Sequence, residues 1–80
     1  MKLNPKTDHI IIYTTSWCGP CKMAKQFLKD QGCSFEEIDI EENSISRQEM
    51  SSKTKGTSVP QIVINGVPVG GFTDLLQILD

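Results

Sequence analysis

Cys18 and Cys21 are separated by only Gly19 and Pro20. Two thiols at that spacing can act in sequence. The first attacks a disulfide, and the second attacks the first sulfur in the resulting mixed disulfide, expelling the substrate thiolate and leaving the pair oxidised. The attacking group must be a thiolate. An ordinary cysteine ionises near about 8.5, and a helix N-terminus, with free N–H groups and a positive dipole end, can lower that to roughly 3.5–7.5. Cys18 is therefore the expected nucleophile if a helix starts here, and Cys21, one turn on, is the expected resolving thiol. Lys22 and Lys25 add positive charge on the same segment, although exposed charges are screened. A zinc half-site and inert packing are the competing uses of the pair. Structural zinc takes four ligands, and the only other Cys and His, Cys33 and His9, form no second paired motif. No metal site is expected.

The elements around the pair supply the required setting. Residues 10–14 are a short apolar, β-branched run that leads directly into the cysteines. Met23, Ala24, Phe27 and Leu28 then follow at helical spacing. Pro20 suits a first helical turn and Gly32 a left-handed stop, so a helix is expected over residues 20–31. Residues 34–40 read as a second strand, with Phe35 out of phase with Ile38 and Ile40. Asn43 or Ser44 is the expected cap of a weakly amphipathic second helix reaching about residue 54, in which only Ile45 and Met50 are clearly apolar. Residues 61–64 and 67–69, joined by Asn65-Gly66, are a β-hairpin whose turn residues tolerate positive φ. A last helix is expected over residues 72–80, with Leu75, Leu76 and Leu79 as its apolar side. The order βαβαββα predicts an α/β fold: a mixed four-stranded sheet with a parallel first pair, an antiparallel hairpin, and helices on both faces.

Eighty residues hold one core. Residues 1–8 read as a loose leader and residues 9–80 as the domain. A hydrophobic fraction of 38 % argues against disorder. Eight Lys and Arg against ten Asp and Glu give a net charge of −2, without the basic excess of a nucleic-acid binder. The apolar run ahead of Trp17 is far shorter than the roughly 20 residues that cross a bilayer, and no cleavable signal pattern precedes it. Three cysteines are too few for a secreted disulfide framework. A monomeric cytoplasmic protein is expected.

Three stretches carry a resemblance. They are Tyr13-Thr14-Thr15-Ser16-Trp17-Cys18-Gly19-Pro20-Cys21-Lys22, Thr57-Ser58-Val59-Pro60-Gln61, and Asn65-Gly66 followed by Gly70-Gly71-Phe72-Thr73-Asp74-Leu75. In order and spacing the chain resembles the glutaredoxins over about residues 9–80. That resemblance implies the thioredoxin fold and a thiol–disulfide oxidoreductase acting on protein disulfides or glutathione mixed disulfides. It also implies a cis Pro60 opposite the redox pair, with the Val59 backbone pairing to the bound peptide or glutathione. The γ-glutamyl carboxylate of glutathione would lie on the amides of Phe72 and Thr73 after Gly71, and Asp74 would meet its ammonium group. Trp17 is the expected surface contact for substrates. Thr15 stands where the family usually has a glutathione-binding lysine.

Trp17-Cys18-Gly19-Pro20-Cys21-Lys22 is itself similar to the active site of thioredoxins. Glutathione as co-substrate and a flavoprotein thioredoxin reductase are both implied as electron sources, with no tightly bound cofactor. Two other classes compete with the enzyme. One is an iron–sulfur carrier in which Cys18 of two subunits and two glutathiones hold a cluster. The other is a non-catalytic module that binds peptides beside Pro60. Cys33 is expected to be a small apolar filler and His9 an exposed residue ahead of the first strand.

Overall fold

Strand β1 (Ile10–Thr14) opens with three successive isoleucines, and the pleat sends Ile10 and Ile12 to one face of the sheet and Ile11 and Tyr13 to the other. Helix α1 (Gly19–Asp30) follows, then β2 (Glu36–Asp39), α2 (Arg47–Lys53), β3 (Gln61–Ile64), β4 (Val67–Gly70) and α3 (Phe72–Ile78). The computed structural model describes residues 8–78. All of the expected leader except Asp8, and Leu79 of the expected last helix, lie outside the described residues.

The four strands lie in the order β2-β1-β3-β4. β1 pairs parallel with β2, Tyr13 opposite Ile38, and antiparallel with β3, Ile12 opposite Ile62. β3 and β4 form the expected hairpin, with Asn65 at φ 52° and Gly66 at φ 81° in the turn. β1 and β3 are central, and every residue of β3 is buried.

Each face of the sheet builds its own core. On one, Ile10, Ile12, Ile62 and Ile64 meet Ala24 and Leu28 of α1 and Leu75 of α3, and Phe27 and Phe72 lock the two helices edge to face with ring centroids 6.2 Å apart. On the other, Tyr13 and Val63 pack with Ile40 and with Met50 of α2. The strand expected over residues 34–40 is shorter, and Phe35 lies just ahead of β2, packed against the first core, while Ile38 of β2 packs against the second, which explains the phase break.

Three local expectations are corrected. The cap of α2 is Ser46, not Asn43 or Ser44. Asp39 Oδ1 accepts the N–H groups of Glu41 and Glu42, Ser44 takes a positive φ of 54°, and the chain remains a turn until Ser46 and Glu49 close a reciprocal capping box. Met23 is exposed, and Cys21, Ala24 and Leu28 form the buried stripe of α1. On α3, Leu76 is exposed while Ile78, on the side of Leu75 and Phe72, packs against the core.

Candidate active site

The strand-to-helix junction places Cys18 at the N-cap of α1, in extended backbone at φ −85° and ψ 113°. Its sulfur takes the part that a Ser or Asp side chain plays at other helix starts, accepting the Cys21 N–H at 3.1 Å. Pro20 lies in the first turn, where its missing N–H costs no hydrogen bond. From the opposite side the Val59 carbonyl receives the Cys18 S–H at 3.4 Å. Val59 precedes Pro60 through a cis peptide bond. All three cysteines carry free thiols.

Both active-site cysteines are buried, Cys18 at 4 % exposure. Cys21 is almost wholly enclosed, at 1 % exposure. Burial is the main cause that pushes its thiol up to about 12, and the hydrogen bond with Cys18 adds to the rise; the Thr15 backbone and the Lys25 charge pull weakly the other way. Cys21 therefore keeps its proton until a partner takes it. Lys25 is committed elsewhere: its ammonium lies 2.9 Å from Glu37 Oε2, which also accepts the Thr14 hydroxyl at 2.8 Å. Those hydrogen bonds, Lys25 first, hold the Glu37 carboxyl below its ordinary range.

The expected ligand-binding residues are spread over the same end of the sheet. Gly71 opens α3 beside the proline, close enough that a Cβ there would stand 3.5 Å from the Pro60 carbonyl. Asp74 Oδ2 accepts the Gly71 N–H at 2.9 Å, so this carboxylate already closes the first turn of α3. Gly70 adopts φ 108°, and a Cβ there would collide with the Asp74 side chain, Cγ lying 2.8 Å away. Glycine is what leaves the carboxylate its place. Phe72 turns half-buried toward Phe27, and Thr73 is exposed. Thr15, expected beside the ligand, is instead only 3 % exposed, and its Oγ1 is buried with no hydrogen-bond partner among the described residues. The chain is still running inward there: Thr14 O accepts the N–H of Ile40 next to it. Cys33 is buried in the first core, as expected of a filler, and burial followed by the Asp8 charge raises its thiol as well.

Trp17 stands out on the surface at 63 % exposure, fastened by residues that sequence reasoning did not single out. Its indole N–H donates to Glu41 Oε1 at 3.1 Å, and the Arg47 guanidinium carbon lies 5.8 Å from the ring centroid. Arg47 also donates to the Thr57 carbonyl at 2.7 Å. The Ser46-x-x-Glu49 box could have located the start of α2, but no local signal joins Glu41 or Arg47 to Trp17.

Among the described residues no group of three or more His, Cys, Asp or Glu is placed to hold a metal, and no helix is long and apolar enough to cross a membrane. Residues 10–69 match the glutaredoxin family model. The chain is 44 % identical over 66 residues to a glutaredoxin of Pseudomonas aeruginosa, covering 82 % of this chain and 79 % of the relative. It is 40 % identical over 67 residues to glutaredoxin 3 of Escherichia coli, covering 84 % and 81 %. Among solved structures it superposes on glutaredoxin 1 of Francisella tularensis, crystallised with cacodylate, with a TM-score of 0.72 at 33 % identity, covering 89 % of this chain and 91 % of that one. A buckwheat glutaredoxin–glutathione complex gives a TM-score of 0.78 at 19 % identity, covering 89 % and 67 %, a likeness of fold. The architecture is thus the thioredoxin-like α/β fold, and neither the cluster carrier nor the non-catalytic module is favoured. The chain belongs to the glutaredoxin family, and family and fold together support a thiol–disulfide oxidoreductase function.

Proposed function

We propose that this protein is a dithiol enzyme that reduces protein disulfides or glutathione mixed disulfides through a Cys18–Cys21 cycle. The observation that carries the reading is the placement of the Cys18 sulfur. It caps α1, takes the Cys21 N–H, and lies against the Val59 carbonyl. An anion formed there keeps the N–H donor and the helix dipole.

In the proposed cycle the Cys18 thiolate attacks one sulfur of the substrate, and a mixed disulfide forms as the other sulfur leaves as a thiolate. When the Cys18 S–H is gone, the Val59 carbonyl no longer has that donor and can accept an N–H from an extended substrate. Cys21 then attacks Cys18 Sγ, giving its proton to the departing substrate thiolate. The substrate disulfide is reduced by two electrons and the Cys18–Cys21 pair is oxidised by two. Two molecules of glutathione, or the dithiol of a flavoprotein thioredoxin reductase, return those electrons.

In this reading glutathione is a co-substrate, and the chain holds no organic cofactor tightly. The amides of Phe72 and Thr73 after Gly71 receive its γ-glutamyl carboxylate, and Asp74, while closing the first turn of α3, faces its ammonium group. Pro60 shapes the loop, Trp17 contacts the substrate beyond the disulfide, and Thr15 acts from beneath the site through its backbone. The protein works as a monomer in the cytoplasm.

The test is a comparison of variants in disulfide reduction driven by glutathione with glutathione reductase, and separately by thioredoxin reductase. Cys18→Ser should remove all turnover. Cys21→Ser should remove protein-disulfide reduction and keep part of the glutathione-dependent monothiol reaction. Full activity of Cys18→Ser would refute the assignment.

A further inference from the structure

Arg47 occupies the first position of α2, where the helix dipole disfavours a cation. Helix stability therefore does not explain it, and its contacts lead elsewhere. It reaches across to the Thr57 carbonyl at 2.7 Å and lies over the Trp17 ring. Thr57 is two residues before Val59, whose carbonyl meets Cys18. On the other side of the indole, Glu41 takes the ring N–H, and Glu41 is held in its turn by the Asp39 side chain, which accepts the Glu41 N–H at 2.9 Å. The two loops that flank the nucleophile are thus tied together through one aromatic ring. Trp17 remains 63 % exposed, so much of its apolar surface is free one residue before Cys18.

We infer that Glu41 and Arg47 are positioning residues that fix the Trp17 indole as a wall beside Cys18, favouring disulfides borne on a polypeptide over small soluble ones. The inference rests on the redox reading above and adds a substrate preference to it. A small disulfide needs only to reach Cys18 Sγ. A polypeptide continues past its disulfide and can cover the ring, gaining apolar burial that grows with the area covered. The gain is largest when the ring is already held, because a mobile indole must lose side-chain freedom on binding.

Trp17 is the only tryptophan, so its fluorescence reports the clamp without interference. The experiment takes pre-reduced full-length protein and measures two things for wild type, Glu41→Ala and Glu41→Gln. The first is the fluorescence anisotropy of Trp17. The second is the single-turnover rate of oxidation by insulin and by bis(2-hydroxyethyl) disulfide, followed by trapping the remaining thiols. Arg47→Ala is included for anisotropy alone.

Glu41→Ala and Arg47→Ala should each lower the anisotropy. Glu41→Ala should slow oxidation by insulin about two- to fivefold and leave the small-disulfide rate within about twofold, the range open to one exposed polar contact. Glu41→Gln, whose amide oxygen still accepts the indole N–H, should restore both readings. Unchanged anisotropy in Glu41→Ala would overturn the inference, and so would an equal loss of rate with both disulfides. A wild type oxidised by both at rates that Glu41→Ala leaves unaltered refutes the preference while the redox reading stands. A wild type oxidised by neither refutes that redox reading, and the preference with it.

Discussion

The enclosure of Cys21 leads to a quantitative expectation for its reactivity. Its thiol is raised from an ordinary 9.0 to about 12, chiefly by burial. At pH 7 the ionised fraction is then about 10⁻⁵, a factor of about 10³ below that of an ordinary thiol. The more basic thiolate is the better nucleophile, and a Brønsted slope of 0.4–0.5 over three units returns a factor of about 16–30. The net expectation is a Cys21 that reacts about one to two orders of magnitude more slowly than an open thiol, before steric access lowers the rate further.

The assay is alkylation of the reduced wild type with limiting iodoacetamide across about pH 6 to 9, with a short unstructured cysteine peptide as internal standard and peptide mass mapping. Initial rates matter, because a modified Cys18 sulfur no longer accepts a hydrogen bond from Cys21. Label should appear first on Cys18. The Cys21 rate should climb about tenfold per pH unit without levelling, since each unit stays well below its titration point. The reasoning fails if Cys21 is labelled as fast as the standard peptide at pH 7, or if its rate reaches a plateau below pH 9.

Two further expectations concern stability. Met50 is the only buried residue of α2 and is fully enclosed. Met50→Ala should cost about 2–5 kcal/mol, a large part of the about 4–12 kcal/mol expected of an 80-residue domain; urea unfolding giving a loss under about 1 kcal/mol would contradict the packing described for α2. Glu37 titrates below its ordinary 4.5 in the folded state, so its benefit is present above that value and fades as pH falls through the lower, folded-state one. Glu37→Gln should cost at most about 1 kcal/mol at pH 7, because both partners are partly solvated, and the gap should narrow as pH falls below 4.5; a gap that stays constant on acidification would show that the charge is not its source.

Much of the frame was legible because its signals are local. The continuous apolar, β-branched run of β1 reads as a buried strand, and Asn65-Gly66 announces a turn that needs two positive φ values. Pro20 and Gly32 bracket α1 to within one residue of each predicted end. The chemistry of Cys18-Gly19-Pro20-Cys21 was equally local, since two thiols one helical turn apart at a helix start already define a donor order. Even the dissonant Phe35 carried information: nearby residues of opposite parity can both pack inward when helices cover both faces of the sheet.

What the local signals could not supply was decided by partners far away in the chain. Leu76 and Ile78 are equally apolar as residues, and only the direction from which α3 meets the sheet buries one and exposes the other. The start of α2, by contrast, is set by local bonds: Asp39 captures two backbone N–H groups two and three positions on, and the Ser46–Glu49 box then opens the helix. Thr15 lies underneath the site because the strand before it is central. Glu41, Arg47 and Thr57 come together at Trp17 across 24, 30 and 40 positions, as the numbering of the chain gives them. Periodicity and capping act through bonds between residues a few positions apart and can be read in one dimension. Burial, side-chain orientation and the surroundings of a charge are properties of the packed sheet, and they exist only once the strands have found their order.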